Sequence, residues 1–270
     1  MGINQKLDKL FDEWMKNYPE RERQKFCRDG LVYKRLEVSC DYDIEKEWNN
    51  APRKILFLLK DQNDPEQTDK ENQVGSDLRH WLDGDSENCK NNCKIKGRFI
   101  KRIAQLFYLL SYWNPDNNIN FGEHVNRKDE IVRECFNSIP FALVESKKLI
   151  GTSSISGKEI KEAIEKDSAM LKEELDILNP NIIVCFGTPQ YEYIKDFYFK
   201  DVLPDISINH PYCKTPDINC MLDYYSENKI IIIHSFHPSD RKANWIICEK
   251  VLSPFKELIN NHGVELRRNE

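Results

Sequence analysis

No apolar run in this chain approaches the ~20 residues a helix needs to cross a bilayer. The N-terminal stretch MGINQKLDKLFDEWMKNYPERERQKF is amphipathic and charged, and lacks the apolar core of a signal peptide. Gly2 invites a myristoylation reading, but Lys6 stands where that motif wants Ser or Thr. The nine cysteines are an odd number, and Cys185 and Cys248 lie inside apolar runs. Reduced thiols are therefore expected in place of a disulfide framework, in a cytoplasmic protein with no membrane contact. Net positive charge is also missing: 40 Lys and Arg against 45 Asp and Glu leave −5. No global field draws the chain to nucleic acid, so any such contact needs a local basic patch. There is no internal repeat and no low-complexity linker. The 270 residues are expected to form a single domain over 1–270, with a helical extension over about 1–50.

What is present is a set of short apolar runs, and the clearest lies in Lys229 to Trp245, KIIIIHSFHPSDRKANW. Ile230 to Ile233 fit a strand buried on both faces of a parallel sheet. The run breaks into His234, Ser235, Phe236, His237, Pro238 and Ser239, with Pro238 ending the strand. Ser239 or Asp240 is expected to cap a helix running from Asp240 to Asn261. Three further runs precede it: Lys54 to Leu59, Ser138 to Val144 and Asn181 to Phe186. Helical spacing lies between them, over Gly97 to Trp113, Lys128 to Phe136, Lys158 to Leu178 and Gln190 to Phe197, and another helix spans Leu7 to Phe26. Thr188 is expected to cap the helix that follows Gly187. Alternation of this kind implies right-handed crossovers and a parallel sheet with helices on both faces. The expected fold is α/β, a three-layer α/β/α sandwich around a central four-stranded, mostly parallel sheet. Asp69–Asn92 and Tyr198–Ser226 read as functional insertions, too long for plain loops.

In open α/β sheets, ligands bind at the carboxyl ends of the strands. Two polar clusters fall there: Lys60-Asp61-Gln62-Asn63 early and His237-Pro238-Ser239 late. Together with Leu171 to Ile194, whose helix, strand and Gly-containing turn lie between them, they resemble the uracil-DNA glycosylase superfamily over roughly Lys54 to Asn261. The late motif matches well. In the early one Asp61 falls on the family's carboxylate position, while Leu59 replaces Gly and Gln62 and Asn63 replace Pro and Tyr. The family's base-reading asparagine is replaced by Val144, Glu145 and Ser146 at the end of the second run.

The resemblance implies hydrolysis of the N-glycosidic bond of a damaged or deaminated base in DNA, with DNA as partner and Asp61 and His237 as catalytic residues. A carboxylate beneath the sugar orients water, and a donor beside the base stabilises the leaving anion. Lys60, Gln62, Asn63, Glu145, Ser239, Arg241 and Lys242 would bind the substrate, the last three through phosphates. A non-catalytic nucleic-acid- or nucleotide-binding module on the same fold is the alternative, and a hydrolase of free nucleosides a third. Cys89 and Cys93, spaced C-x3-C, with Cys213 and Cys220 form too loose a set for zinc, and no metal or cofactor is expected.

Overall fold

Each apolar run becomes a strand because side chains on both of its faces find a hydrophobic layer. The computed structural model describes residues 1–32, 43–63, 74–80, 97–117, 119–125, 129–151, 155–212 and 215–265. In chain order its elements are α1 (Ile3–Met15), α2 (Glu20–Arg23), β1 (Gly30–Leu31), α3 (Ile44–Asn50), β2 (Ile55–Asn63), α4 (Arg98–Tyr112), α5 (Asp129–Ser138), β3 (Ala142–Gly151), α6 (Gly157–Leu178), β4 (Ile182–Phe186), α7 (Thr188–Tyr193), β5 (Ile206–Tyr212), β6 (Thr215–Tyr225), β7 (Ile230–Ser235) and α8 (Asn244–His262).

The fold is α/β with one mixed sheet of seven strands, in the order β1-β3-β2-β4-β7-β6-β5. The four expected runs form its parallel centre, β3-β2-β4-β7. The expected count of four strands is too low. β1 adds antiparallel to β3, and the β5–β6 hairpin adds antiparallel to β7.

Alternation along the strands feeds two separate cores. Phe57, Leu143, Val184 and Ile233 share one with Ile103, Phe107, Phe136 and Leu252 of α4, α5 and α8. Leu58, Val144, Ile183 and Ile232 share the other with Trp14, Trp48, Leu171 and Tyr191 of α1, α3, α6 and α7. Helices thus cover both faces of the sheet. Each isoleucine of β7 from Ile231 to Ile233 is fully buried, a contribution of about 1.5–3 kcal/mol apiece. Residues of α1 belong to the same core as β2 and β3.

Several boundaries differ from expectation. Pro19 separates α1 from α2, so Leu7 to Phe26 is not one helix. The second run continues well past Val144 to Gly151, through polar residues. It can do so because β2 pairs along one side, while on the other the Cys27 N–H donates to the Lys148 carbonyl and the Ile150 N–H to the Lys25 carbonyl. Most of Tyr198–Ser226 is the β5–β6 hairpin. Its strands alternate polar and apolar residues, and Pro211 is tolerated at a register shift on the edge strand. Gly187, and not Thr188, is the N-cap of α7. α8 starts at Asn244 with Ala243 as N-cap, so neither Ser239 nor Asp240 caps it. Among the described residues no helix is long and apolar enough to cross a membrane. Most of Asp69–Asn92 lies outside the described residues.

Candidate functional site

The carboxyl ends of β2, β3, β4 and β7 form one edge. Asp61 lies at the end of β2, in register with Lys147 of β3. Its Oδ2 is 3.5 Å from the Lys147 ammonium, and its side chain is only 6% exposed. Burial lifts the Asp61 carboxyl above its ordinary range, against the pull of Lys147 and Lys60. Gly151 makes room for it: a Cβ there would lie 1.6 Å from Asp61 Oδ2. α6, which follows β3, is opened by a capping box in which Ser156 and Glu159 bond each other's backbone amides.

Lys60 bridges toward the other half of the edge. Gly187, at φ +141°, closes β4 without a side chain, and its missing Cβ would stand 3.7 Å from Lys60 Cε and 2.7 Å from Gln190 Oε1. The lysine stem crosses this gap, and its charge acts on both Asp61 and His237. Burial, and then Lys60, push the His237 imidazole down to about 4, so it is neutral at neutral pH. The backbone N–H of Ser239 donates to His237 Nδ1 at 3.2 Å. In a neutral ring this puts the proton on Nε2, which makes His237 an uncharged donor. Phe99 of α4 packs on the imidazole, with ring centroids 5.9 Å apart.

The other candidates divide. Gln62 is engaged with Ser76, exchanging hydrogen bonds with its hydroxyl and backbone amide. Asn63 ends β2 opposite Gly151. Glu145 is buried within β3, opposite Leu59, so it does not close the strand and is not presented at the open edge. Burial, with Asp29 and Asp61 nearby, holds its carboxyl well above the ordinary range. Ser239, Arg241 and Lys242 are exposed on the segment between β7 and α8. The Lys242 ammonium sits 4.7 Å from the centroid of the Phe236 ring. His234 is pushed down to about 4 by burial and by Lys250, and packs edge-on against Tyr191.

Three residues at this edge escaped the sequence reading. Lys147 lies beyond the expected end of the second run at Val144, and β3 carries it to the edge. Lys250 of α8 is buried, donates to the Asn219 carbonyl, and has its ammonium pushed down to about 8 by burial. Arg102 of α4 is buried and holds the segment after β7 by four acceptors. Its signal was a charge three residues after Phe99 and four before Leu106, inside the apolar stripe of the helix.

A cavity of about 430 Å³ lies at the opposite, amino edge, beside Arg53, Asn114, Ile259 and Val264. There the Arg53 guanidinium donates to the carbonyls of Leu110 and Trp113 at 2.6 and 2.8 Å, closing the end of α4. Among the described residues no group of three or more His, Cys, Asp or Glu is placed to hold a metal ion. Cys27, Cys135, Cys185, Cys220 and Cys248 are buried, and Cys89, Cys93 and Cys213 lie outside the described residues. Neither the models of known protein families nor the curated proteins contain a match to this chain.

Proposed function

We propose that this chain binds DNA at the carboxyl edge of its parallel strands and hydrolyses the base–sugar bond of a damaged or deaminated base, on a three-layer, uracil-DNA glycosylase-like sandwich. The observation that carries the reading is the convergence of Asp61 and His237 on one edge, with Lys60 acting on both. Water attacks the anomeric carbon while the C–N bond breaks, and the bonding pair leaves with the base. The Asp61 carboxylate orients the water, favours the cationic sugar and takes the water's proton; its lifted carboxyl makes it a better base. The neutral His237 donates from Nε2 to an oxygen of the departing base, where negative charge gathers. Because the ring is uncharged beforehand, it stabilises the leaving anion without first binding the neutral base as an ion. Lys60 adds positive charge at the same point. Ser239, Arg241 and Lys242 meet the phosphates and hold the extruded nucleotide.

A second reading, a non-catalytic binding module, draws on the near-complete burial of Asp61 against Gly151 and Lys147. A panel of single- and double-stranded oligonucleotides, each carrying one uracil, hypoxanthine or xanthine, separates the two. Base release that collapses in Asp61→Asn supports catalysis. Binding without release, unchanged in Asp61→Asn, supports the module. An absence of both release and binding overturns both readings.

A further inference from the structure

We propose that Arg102 is a positioning residue for His237, fixing its proton on Nε2 through a single peptide plane. The proposal rests on the reading of His237 as the donor at this edge. The segment Phe236 to Ala243 has no helix or ladder of its own to satisfy its backbone. Arg102 reaches into it from α4. Its Nη1 donates to the carbonyls of Pro238 at 2.8 Å and Asp240 at 2.5 Å, its Nη2 to that of Lys242, and its Nε to Asn244 Oδ1 at 2.9 Å. Three alternate carbonyls thus turn toward one buried guanidinium.

Among the described residues no peptide bond is cis, so the C=O and N–H of one unit point in opposite directions. The Pro238–Ser239 unit has its carbonyl on Arg102, and its N–H on His237 Nδ1 at 3.2 Å. Drawing the carbonyl toward α4 aims the amide at the imidazole. A ring nitrogen that accepts this N–H cannot carry the proton in the neutral ring. Nε2 must therefore be the protonated atom. Only a planar fork supplies donors in several fixed directions at once, which a lysine ammonium on its flexible stem does not. The charged groups acting on the ring are Lys60 from β2 and Asp240 from its own segment, with Arg98 and Arg102 on α4 bonding the Asp240 carbonyl.

The test is the two-bond ¹⁵N–¹H spectrum of the histidine rings in the full chain, recorded near neutral pH without any DNA. In the wild type, His237 is expected to show a pyridine-type Nδ1 and a pyrrole-type Nε2. In Arg102→Lys and Arg102→Met, both resonances are expected to move toward each other as the tautomers mix, while those of His234 stay in place. A wild-type His237 protonated on Nδ1 overturns the proposal without any variant. So does a folded Arg102 variant that keeps the wild-type His237 pattern. The readout needs no turnover, so a chain that releases no base from any oligonucleotide would sink the catalytic reading and leave this one standing.

Discussion

Two of the charged clusters on this sheet contrast, one sealed beneath a helix and one at the carboxyl edge. Under α1, Lys148 of β3 donates to both oxygens of Asp29 at 2.6 Å and lies 2.8 Å from Glu174 of α6, all three fully buried. The indole of Trp14 and the ring of Phe11 lie 5.2 and 5.5 Å from the same ammonium. Burial alone would push the Lys148 ammonium down, but Asp29 and Glu174 outweigh it and hold it above its ordinary value. One residue earlier, Lys147 turns to Asp61 at the open edge. There burial, and then Lys60, push the His237 imidazole down, and Asp61 is only loosely ion-paired. Adjacent lysines of one strand thus serve opposite ends, one completing a closed network and the other facing Asp61 at the carboxyl edge. In the sealed cluster one lysine serves two buried acids, and burial, with Asp29, holds the Glu174 carboxyl well above its ordinary range. The open cluster sets two groups with shifted protonation, Asp61 and His237, at the carboxyl edge, where ligands bind in open α/β sheets.

The sharpest way to break this contrast is Lys148→Met. It leaves Asp29 and Glu174 buried with no cation, and is expected to cost about 3–5 kcal/mol in chemical denaturation; a loss under about 1 kcal/mol would mean the sealed cluster holds nothing. At the open edge His237→Ala should leave the denaturation midpoint near that of the wild type, while base release falls about 10²–10⁴-fold. Equal damage to stability in both variants would erase the distinction. Gly151→Ala tests position alone. Its methyl must displace the Asp61 carboxylate, and release is expected to fall about 10²-fold with Asp61 and Lys147 both still present.

Acid sharpens the contrast further. His234 and His237 both titrate near 4 in the folded chain against 6.5 unfolded. A depressed imidazole binds its proton more readily when unfolded, so stability is lost as pH falls from about 6.5 toward 4 and levels off below. The melting temperature should drop across that window, and His237→Gln should flatten part of the drop; an unchanged slope would place His237 in water. The smallest effect is expected from Arg241→Ala with Lys242→Ala, which should weaken DNA binding and flatten its salt dependence by roughly two phosphate contacts. Unchanged salt dependence would move the phosphates elsewhere.

The parallel centre of the sheet was legible because its strands are buried on both faces and so read as unbroken apolar runs. Its flanks were not, because β5 leaves alternate positions exposed or half-exposed, and both β5 and β6 carry polar residues and a proline. Lys147 and Lys148 hid in the same way, since β3 continues on polar residues held by backbone partners that no side-chain pattern announces. Asp61 and His237 were picked out because each lies shortly after the end of an apolar run, where a buried strand meets the carboxyl edge. Arg102 could not be assigned its place, because its acceptors are main-chain carbonyls far along the chain. Glu145 was misplaced by the same error that cut β3 short.

The most direct test of the account is the single-turnover rate of base release from the deaminated-base panel, wild type against Asp61→Asn, with both proteins shown to melt alike. The account predicts release from at least one base in the wild type and a loss of about 10²–10⁴-fold in the variant. Release that is equal in both proteins, or absent from every oligonucleotide, would contradict it.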